Sequence, residues 1–185
     1  MNGWFPIETP RLLLREFRST DESDIHAYAS DPEVVRYVHW GPNTPEVTRA
    51  ILAGFLKAQQ HWPRIDIGLA IELKSEQRLI GAIEIRMKDD ANRAADFGYV
   101  LNRSCWGRGY MTEAARAVLD AAFRELRLHR VWATCDPRNL ASSRVLEKLG
   151  MRREALFRKD VLHKGEWRDS YLYAILAEEW PAASN

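Results

Sequence analysis

Residues 103–114 read RSCWGRGYMTEA, and the rest of the chain is organised around this stretch. Gly107 and Gly109 stand one residue apart and run straight into a helical pattern. Glycine lets the backbone turn sharply, so that several N–H groups can point the same way. A helix starting directly behind adds unpaired amides and the positive end of its dipole. Together these make a site for a phosphate or pyrophosphate. An ordinary turn can show the same glycine spacing, so the stretch alone leaves both readings open. A dinucleotide fingerprint needs a third spaced glycine, where this chain has Ala114. A Walker loop needs Gly-Lys-Ser/Thr, a triplet the chain does not contain. The phosphate carrier expected here is neither a dinucleotide nor ATP.

Behind the glycines, Met111, Ala114, Ala115, Val118, Leu119, Ala122 and Phe123 recur every three or four residues, which predicts an amphipathic helix of about four turns. Ahead of them, Ile67–Leu73, Leu79–Met87 and Asp96–Leu101 read as strands, separated by polar turns at Lys74–Gln77 and Lys88–Arg93. Three antiparallel strands in a meander are the economical arrangement. Further upstream, Arg11–Phe17 reads as a strand. Thr20 reads as an N-cap with Asp21 and Glu22 in the first helical turn, and Asp31-Pro32-Glu33 restarts a helix. Tyr37–Pro42 is an aromatic loop, and Thr44-Pro45-Glu46 opens a helix with Val47, Ile51, Leu52, Phe55 and Leu56 on its apolar stripe. Downstream come a strand at His129–Thr134, a turn at Asp136-Pro137 and a helix from Asn139 to Leu149, ended by Gly150 in the left-handed conformation. Strands at Ala155–Leu162 and Asp169–Leu176 flank a turn at Lys164-Gly165. With no linker, repeat or low-complexity segment, one α+β domain over residues 1–185 is expected.

The 185 residues suffice for one substantial core. Lys and Arg number 27 against 26 Asp and Glu, and this balance argues against a general nucleic-acid binder. Cys105 and Cys135 give no metal or disulfide framework, and free thiols suit a reducing cytosol. Cys105 lies in the glycine stretch, but no His stands at an informative spacing, which favours a packed thiol over a nucleophile. His26, His39, His61, His129 and His163 show no ligand spacing, so no metal is expected. The start, MNGWFPIETPRLLL, lacks a charged region followed by a long apolar core. No apolar run approaches the ~20 residues of a membrane span. The expectation is a soluble, cytoplasmic protein with no membrane or nucleic-acid partner.

Three ordered segments, WGRGYMTEA (106–114), NLASSRVLEKLGM (139–151) and WRDSYLYAILAEEW (167–180), resemble the GNAT superfamily of N-acetyltransferases. Within it, the chain resembles the RimJ/RimL type, which acetylates protein N-terminal amines. The likeness runs from about Arg11 to Trp180. It implies an α+β GNAT fold: a central mixed, mostly antiparallel sheet flanked by helices, with a splayed cofactor groove. It also implies acetyl-CoA as donor, and it leaves room for a homodimer. In the family, loop amides hold the CoA pyrophosphate. Here those come from Cys105, Trp106, Gly107, Arg108, Gly109 and Tyr110, with the Arg108 side chain adding charge. The family pattern has Gln or Arg three positions before the first glycine; this chain has Ser104 there and Arg103 one place earlier. The pantetheine arm is expected along Tyr99, Val100 and Leu101, with an amide near Val100 for the thioester oxygen. Asn139 matches the asparagine that contacts the pantetheine, and it is equally suited to cap a helix after Pro137.

Acetyl transfer to an amine needs a neutral amine, a stabilised oxyanion and a proton for the departing thiolate. Held beside the thioester, the amine can attack directly, without a covalent enzyme intermediate. Glu84, the carboxylate inside the apolar run LIGAIEIRM, is the leading base, because partial desolvation would raise its pKa. The competing reading is a surface carboxylate paired with Arg86. Asp96 is the second candidate. For the acid, many family members place a Tyr seven residues after the Asn, where this chain has Leu146. Ser142 matches a serine of RimL-type members and is read first as a positioning donor, its alternative being a bond to its own helix. Tyr37, His39 and Trp40 are expected to line the acceptor side, although Trp40 is equally fit to anchor its loop to the core. The acceptor is expected to be a protein or peptide α-amine. The alternatives are a small amine, which would call for a closed pocket, and a CoA-binding module with little catalysis.

Overall fold

Residues 69–73 and 79–83 are buried without a break, on both faces, which is the signature of strands inside a covered sheet. The computed structural model describes residues 5–61, 64, 66–89 and 91–181. In chain order its strands are β1 (Ile7–Glu8), β2 (Leu12–Arg15), β3 (Asp66–Leu73), β4 (Arg78–Asp89), β5 (Ala94–Leu101), β6 (Arg130–Cys135), β7 (Arg152–His163) and β8 (Glu166–Leu176). The helices are α1 (Glu22–Ala29), α2 (Pro45–Ala58), α3 (Tyr110–Arg124) and α4 (Leu140–Lys148). The eight strands form one sheet in the order β1-β2-β3-β4-β5-β6-β8-β7. Every pairing is antiparallel except β5–β6.

Strand alternation divides the core in two. Ile83, Ile85, Phe97, Leu101, Val131 and Ala133 meet the apolar stripe of α3 (Met111, Ala114, Ala115, Val118, Leu119, Ala122) and Leu146 of α4. On the opposite face, Ala70 and Ala82 meet Ile25, Tyr28 and Ala29 of α1 and Leu52 of α2. The helix behind the glycines, the β3–β4–β5 meander and the late hairpin therefore stand as expected, as does the α+β GNAT-type architecture. Lys164 and Gly165 both take positive φ, 48° and 86°, the conformation a two-residue hairpin turn requires. Gly150 ends α4 at φ +83°.

Several local expectations need correction. The stretch opened by Asp31-Pro32-Glu33 is a run of turns, not a helix. Asp31 caps the Glu33 amide, and the Val35 carbonyl, which a continuing helix would offer to residue 39, accepts the Val38 amide at 3.4 Å and Lys164 Nζ at 3.0 Å. Thr20 is not an N-cap: it lies inside a 3-10 turn, Ser19–Asp21, and Asp21 reaches back to the Arg18 amide. The stripe of α2 is rotated from its predicted position. Val47 and Ile51 face out, while Thr48 is buried against His26 Nδ1 at 3.0 Å. The two-residue β1 was not anticipated, and Asp90 of the predicted Lys88–Arg93 turn lies outside the described residues. No helix among the described residues is long and apolar enough to cross a membrane.

A buried ion cluster ties β2 to the 3-10 turn and to β3. Arg15 donates from Nη1 and Nη2 to Asp21 at 2.8 and 2.9 Å, and from Nε to Glu72. Burial works against the Arg15 charge, but hydrogen bonds and attraction from Asp21 and Glu72 more than compensate, holding its pKa above the ordinary value. Replacing Arg15 would leave two buried carboxylates with only the Arg18 amide on Asp21 and the long, exposed Arg18 contact on Glu72. Arg15→Met is expected to lower the unfolding free energy by about 3–5 kcal/mol in urea titrations. A loss under about 1 kcal/mol would show that solvent reaches both carboxylates.

Candidate active site

The parallel pair β5–β6 holds together over only three positions, Ala94–Asp96 against Arg130–Trp132. Beyond them the strands part, while β6 stays paired to β8 through Cys135. Phe97–Leu101 and Ala133–Cys135 thus border a seam within the sheet, and a groove of about 860 Å3 opens along it. Backbone groups along the two separated edges lack strand partners there, which invites an extended polar chain to fill the gap.

The phase of the β4–β5 ladder decides which amides face that gap. Asn102 N–H donates to Ile80 O at 2.7 Å. Hydrogen-bonded pairs alternate in an antiparallel ladder, so Val100 bonds its register partner Ala82, and its amide faces β4. A Cβ on Gly81 would lie 2.3 Å from Val100 O, in keeping with that direction. The expectation of an amide near Val100 is thereby narrowed to the amides of Tyr99 and Leu101, which face the seam. On the same side, Leu101 O accepts from Trp106 Nε1 at 2.8 Å.

At the near end of the groove the chain makes a 3-10 turn, Arg103–Cys105, that consumes two of the predicted cradle amides. Cys105 N–H donates to Asn102 O at 2.9 Å, and Trp106 N–H to Arg103 O at 3.1 Å. Gly107 and Gly109 come next in the chain at φ +73° and +80°. Gly109 is the N-cap of α3 and offers no capping side chain, so the first amides of α3 stay open to an anion. The cradle thus narrows to Gly107, Arg108, Gly109, Tyr110 and the residues just behind. The Arg108 side chain is exposed and stands outside the groove wall, while its carbonyl accepts from Arg11 Nη1 at 2.9 Å. Arg103 turns to Asp31 at 3.1 Å. The buried thiols stay free, and burial pushes the Cys135 thiol up.

Farther along, Asn139 caps α4, its Oδ1 accepting from the Ser142 amide at 3.1 Å, and it also lines the groove. Leu146 is wholly buried. The hydroxyl met by Ser142 comes from another element: Tyr99 Oη lies 3.0 Å from Ser142 Oγ and 3.2 Å from Ser142 O. Burial raises the Tyr99 phenol well above its ordinary value, with the Ser142 bond opposing. It therefore stays protonated at neutral pH. Sequence reading used only the backbone of Tyr99, although alternation along β5 already aims its ring at the α3/α4 face.

Glu84 projects from the opposite face and lines the same groove. Its side chain is 35% exposed and accepts no hydrogen bond among the described residues. Its contact with Arg86 is long, 3.6 Å. Arg86 is committed to Asp96, with Nε 3.1 Å from Oδ2, and Lys88 takes the other oxygen of Asp96 at 3.4 Å. That leaves Asp96 buried and paired. Burial raises the Glu84 pKa above the ordinary carboxylate value; Arg86 opposes the shift, and Asp66 and Asp96 add to it. Tyr37, His39 and Trp40 all line the groove on this side, and Trp40 also packs on the α1/α2 core. A third wall was missed by sequence reading. His163, Asp169 and Ser170 bring the β7–β8 hairpin to the groove. Only the pairing of strands far apart in sequence puts them there.

Comparison with known proteins agrees with this fold. Residues 11–152 match the acetyltransferase (GNAT) domain family. The Bacillus subtilis protein described as uncharacterized N-acetyltransferase YnaD is 39% identical over 175 residues, 94% of this chain and 98% of that one. A ribosomal protein uS5 alanine N-acetyltransferase of Escherichia coli is 32% identical over 87 residues, 47% of this chain and 45% of that one. The structure of Mycobacterium smegmatis RimJ in complex with CoA-disulfide is 29% identical, with a TM-score of 0.80 over 93% of this chain and 85% of that one.

A Cβ on Gly107 would meet nothing within 4 Å in the protein, so the effect of a methyl there is backbone strain at positive φ and obstruction of a bound anion. Gly107→Ala is expected to weaken acetyl-CoA binding about 10-fold in calorimetry while leaving the melting temperature within a few degrees. Unchanged affinity would place the pyrophosphate elsewhere.

Proposed function

We propose an acceptor and a mechanism for this chain from the premise that it belongs to the GNAT acetyltransferase family and is an N-acetyltransferase that takes its acetyl group from acetyl-CoA. The proposed acceptor is a protein or peptide N-terminal α-amine, and residues 1–185 act as one such domain. The observation that carries the mechanism is that Glu84 and Ser142, on opposite faces of the sheet, line one groove at the seam.

Acetyl-CoA supplies an activated thioester. Gly107, Arg108, Gly109 and Tyr110 would hold its pyrophosphate, the seam-facing backbone of β5 its pantetheine arm, and Asn139 the far side of that arm. The amides of Tyr99 and Leu101 are the donors placed to steady the thioester oxygen. Glu84 takes a proton from the incoming ammonium, directly or through water, and so delivers a neutral nucleophile. Ser142, with the Tyr99 hydroxyl behind it, supplies the hydrogen bond that the leaving sulfur needs. Tyr99 Oη donates to Ser142 O and stands 3.0 Å from Ser142 Oγ, and so fixes the serine hydroxyl at the groove. No covalent enzyme intermediate is required, because amine and thioester meet in one cleft.

The peptide acceptor is supported by the shape of the Glu84 end and by the relatives. Residues 36–40 and the β7–β8 hairpin, joined by the Lys164–Val35 bond, line a groove of about 860 Å3, room enough for a chain end. The similar E. coli protein is by its name an enzyme for a ribosomal protein's alanine.

Three measurements test this reading. A thiol-release assay across N-terminal peptides and small amines should show turnover on peptides. Turnover on small amines alone would replace the acceptor, and acetyl-CoA binding without turnover on any amine would leave a binding module. Glu84→Gln should slow the reaction on the order of 100-fold at neutral pH and flatten the rise of rate with pH. The sign on stability is opposite. The folded chain holds the Glu84 proton more tightly than the unfolded chain, so stability is lost as pH rises from the ordinary carboxylate range through the raised pKa. Glu84→Gln should therefore melt at the same or a higher temperature at neutral pH. Equal rates and equal pH profiles would make Glu84 structural. Tyr99→Phe should lower kcat about 10-fold with acetyl-CoA affinity unchanged; an unaltered kcat would release Ser142 from any dependence on Tyr99.

A further inference from the structure

His163 ends β7 and is 4% exposed, yet neither Nδ1 nor Nε2 has a hydrogen-bond partner among the described residues. Buried polar atoms are nearly always paired, and an unpaired one calls for an explanation. His163 lines the groove, alongside Val161 on the same strand and Ser170 on β8. Lys164, the next residue, donates from Nζ to Val35 O at 3.0 Å, and Val35 is wholly buried within the 32–40 turn segment. That bond pins the hairpin to the segment carrying Tyr37, His39 and Trp40, so His163 sits where two of the walls around the Glu84 end meet.

We propose that His163 is an acceptor-contacting residue whose imidazole hydrogen-bonds the first peptide unit behind the reacting α-amine. This inference rests on the peptide reading of the acceptor and adds to it a specificity residue. A neutral imidazole offers one donor and one acceptor, and a peptide unit offers the complementary pair. A simple alkylamine offers neither and would leave the ring as it stands. The site thereby discriminates by the group attached behind the amine, not by the amine itself, because a polar group left unpaired in a bound complex weakens that complex.

The test compares wild type with His163→Phe, which keeps a ring but no polar atom, and His163→Asn, which keeps a polar head. Steady-state rates are measured with a short free N-terminal peptide, with an alkylamine, and with acetyl-CoA varied. His163→Phe should raise KM for the peptide on the order of 10-fold, leave kcat and the acetyl-CoA KM nearly unchanged, and not alter the alkylamine KM. His163→Asn should recover part of the loss. An unchanged peptide KM in His163→Phe overturns the inference while the peptide reading stands. Wild type that turns over alkylamines but no peptide sinks both. Should His163→Phe fail to fold, His163→Asn and the imidazole NMR signals of wild type decide the matter. Saturating peptide should shift the His163 ring signals, and signals unmoved by peptide count against the contact.

Discussion

Everything at the site depends on one constraint: β5 and β6 must pair long enough to hold the sheet together and then part. Three paired positions at Ala94–Asp96 do the first, and the gap between Phe97–Leu101 and Ala133–Cys135 does the second. A gap inside a sheet exposes backbone donors and acceptors that cannot stay unpaired at low cost. The fold tolerates it because each edge is anchored on its other side, β5 to β4 along its whole length and β6 to β8. The ladder phase then decides which amides are available. Since Val100 bonds β4, the seam belongs to Tyr99 and Leu101.

The pleat assigns the two proposed chemical roles to opposite faces. Alternation along β4 and β5 sends Glu84 toward α1 and α2 and Tyr99 toward α3 and α4. In an unbroken sheet these side chains would be separated by the backbone layer. The split brings both to one groove, so a base and a hydroxyl reach a reacting centre from opposite sides. Their environments differ to match. Glu84 has lost water without gaining a close cation, because Arg86 is held by Asp96. Ser142 has gained a protonated phenol as neighbour.

What was legible in the sequence was local or periodic. The stripe from Met111 to Ala122, the glycines at positive φ and the left-handed Gly150 all derive from spacing and conformational preference, and each stands where it was read. Glu84 was legible because a charge inside LIGAIEIRM is anomalous in itself. What failed was set by tertiary contacts. Pro32 looks like a helix start, but the Val35 carbonyl that a helix would offer to residue 39 accepts the Val38 amide and Lys164, 129 positions away. Val47 and Ile51 fit a helical stripe, but the face that packs is centred on Thr48, whose hydroxyl is matched by His26. The Cys105 and Trp106 amides looked as free as those of Gly107, and a single 3-10 turn removed them from the cradle. His163 carried no signal, since its place in the groove depends on a hairpin folding back across the sheet.

The acceptor lip couples the two ends of the groove. Residues 31–43 form no regular structure, yet they are fastened at three points: Asp31 to Arg103, Val35 O to Lys164, and the Asn43 amide to Ala29 O at 2.9 Å. The first fastening reaches the turn that leads into the anion cradle, and the second reaches the hairpin that carries His163. His39 and Trp40 of the same segment line the groove together with Glu84. Arg103, one place before the position of the family's side chain, is held by Asp31 in this structure, in an ion pair exposed on the arginine side. Burial is the largest cause of the raised Glu84 pKa, and this segment meets it through His39, which works against the rise.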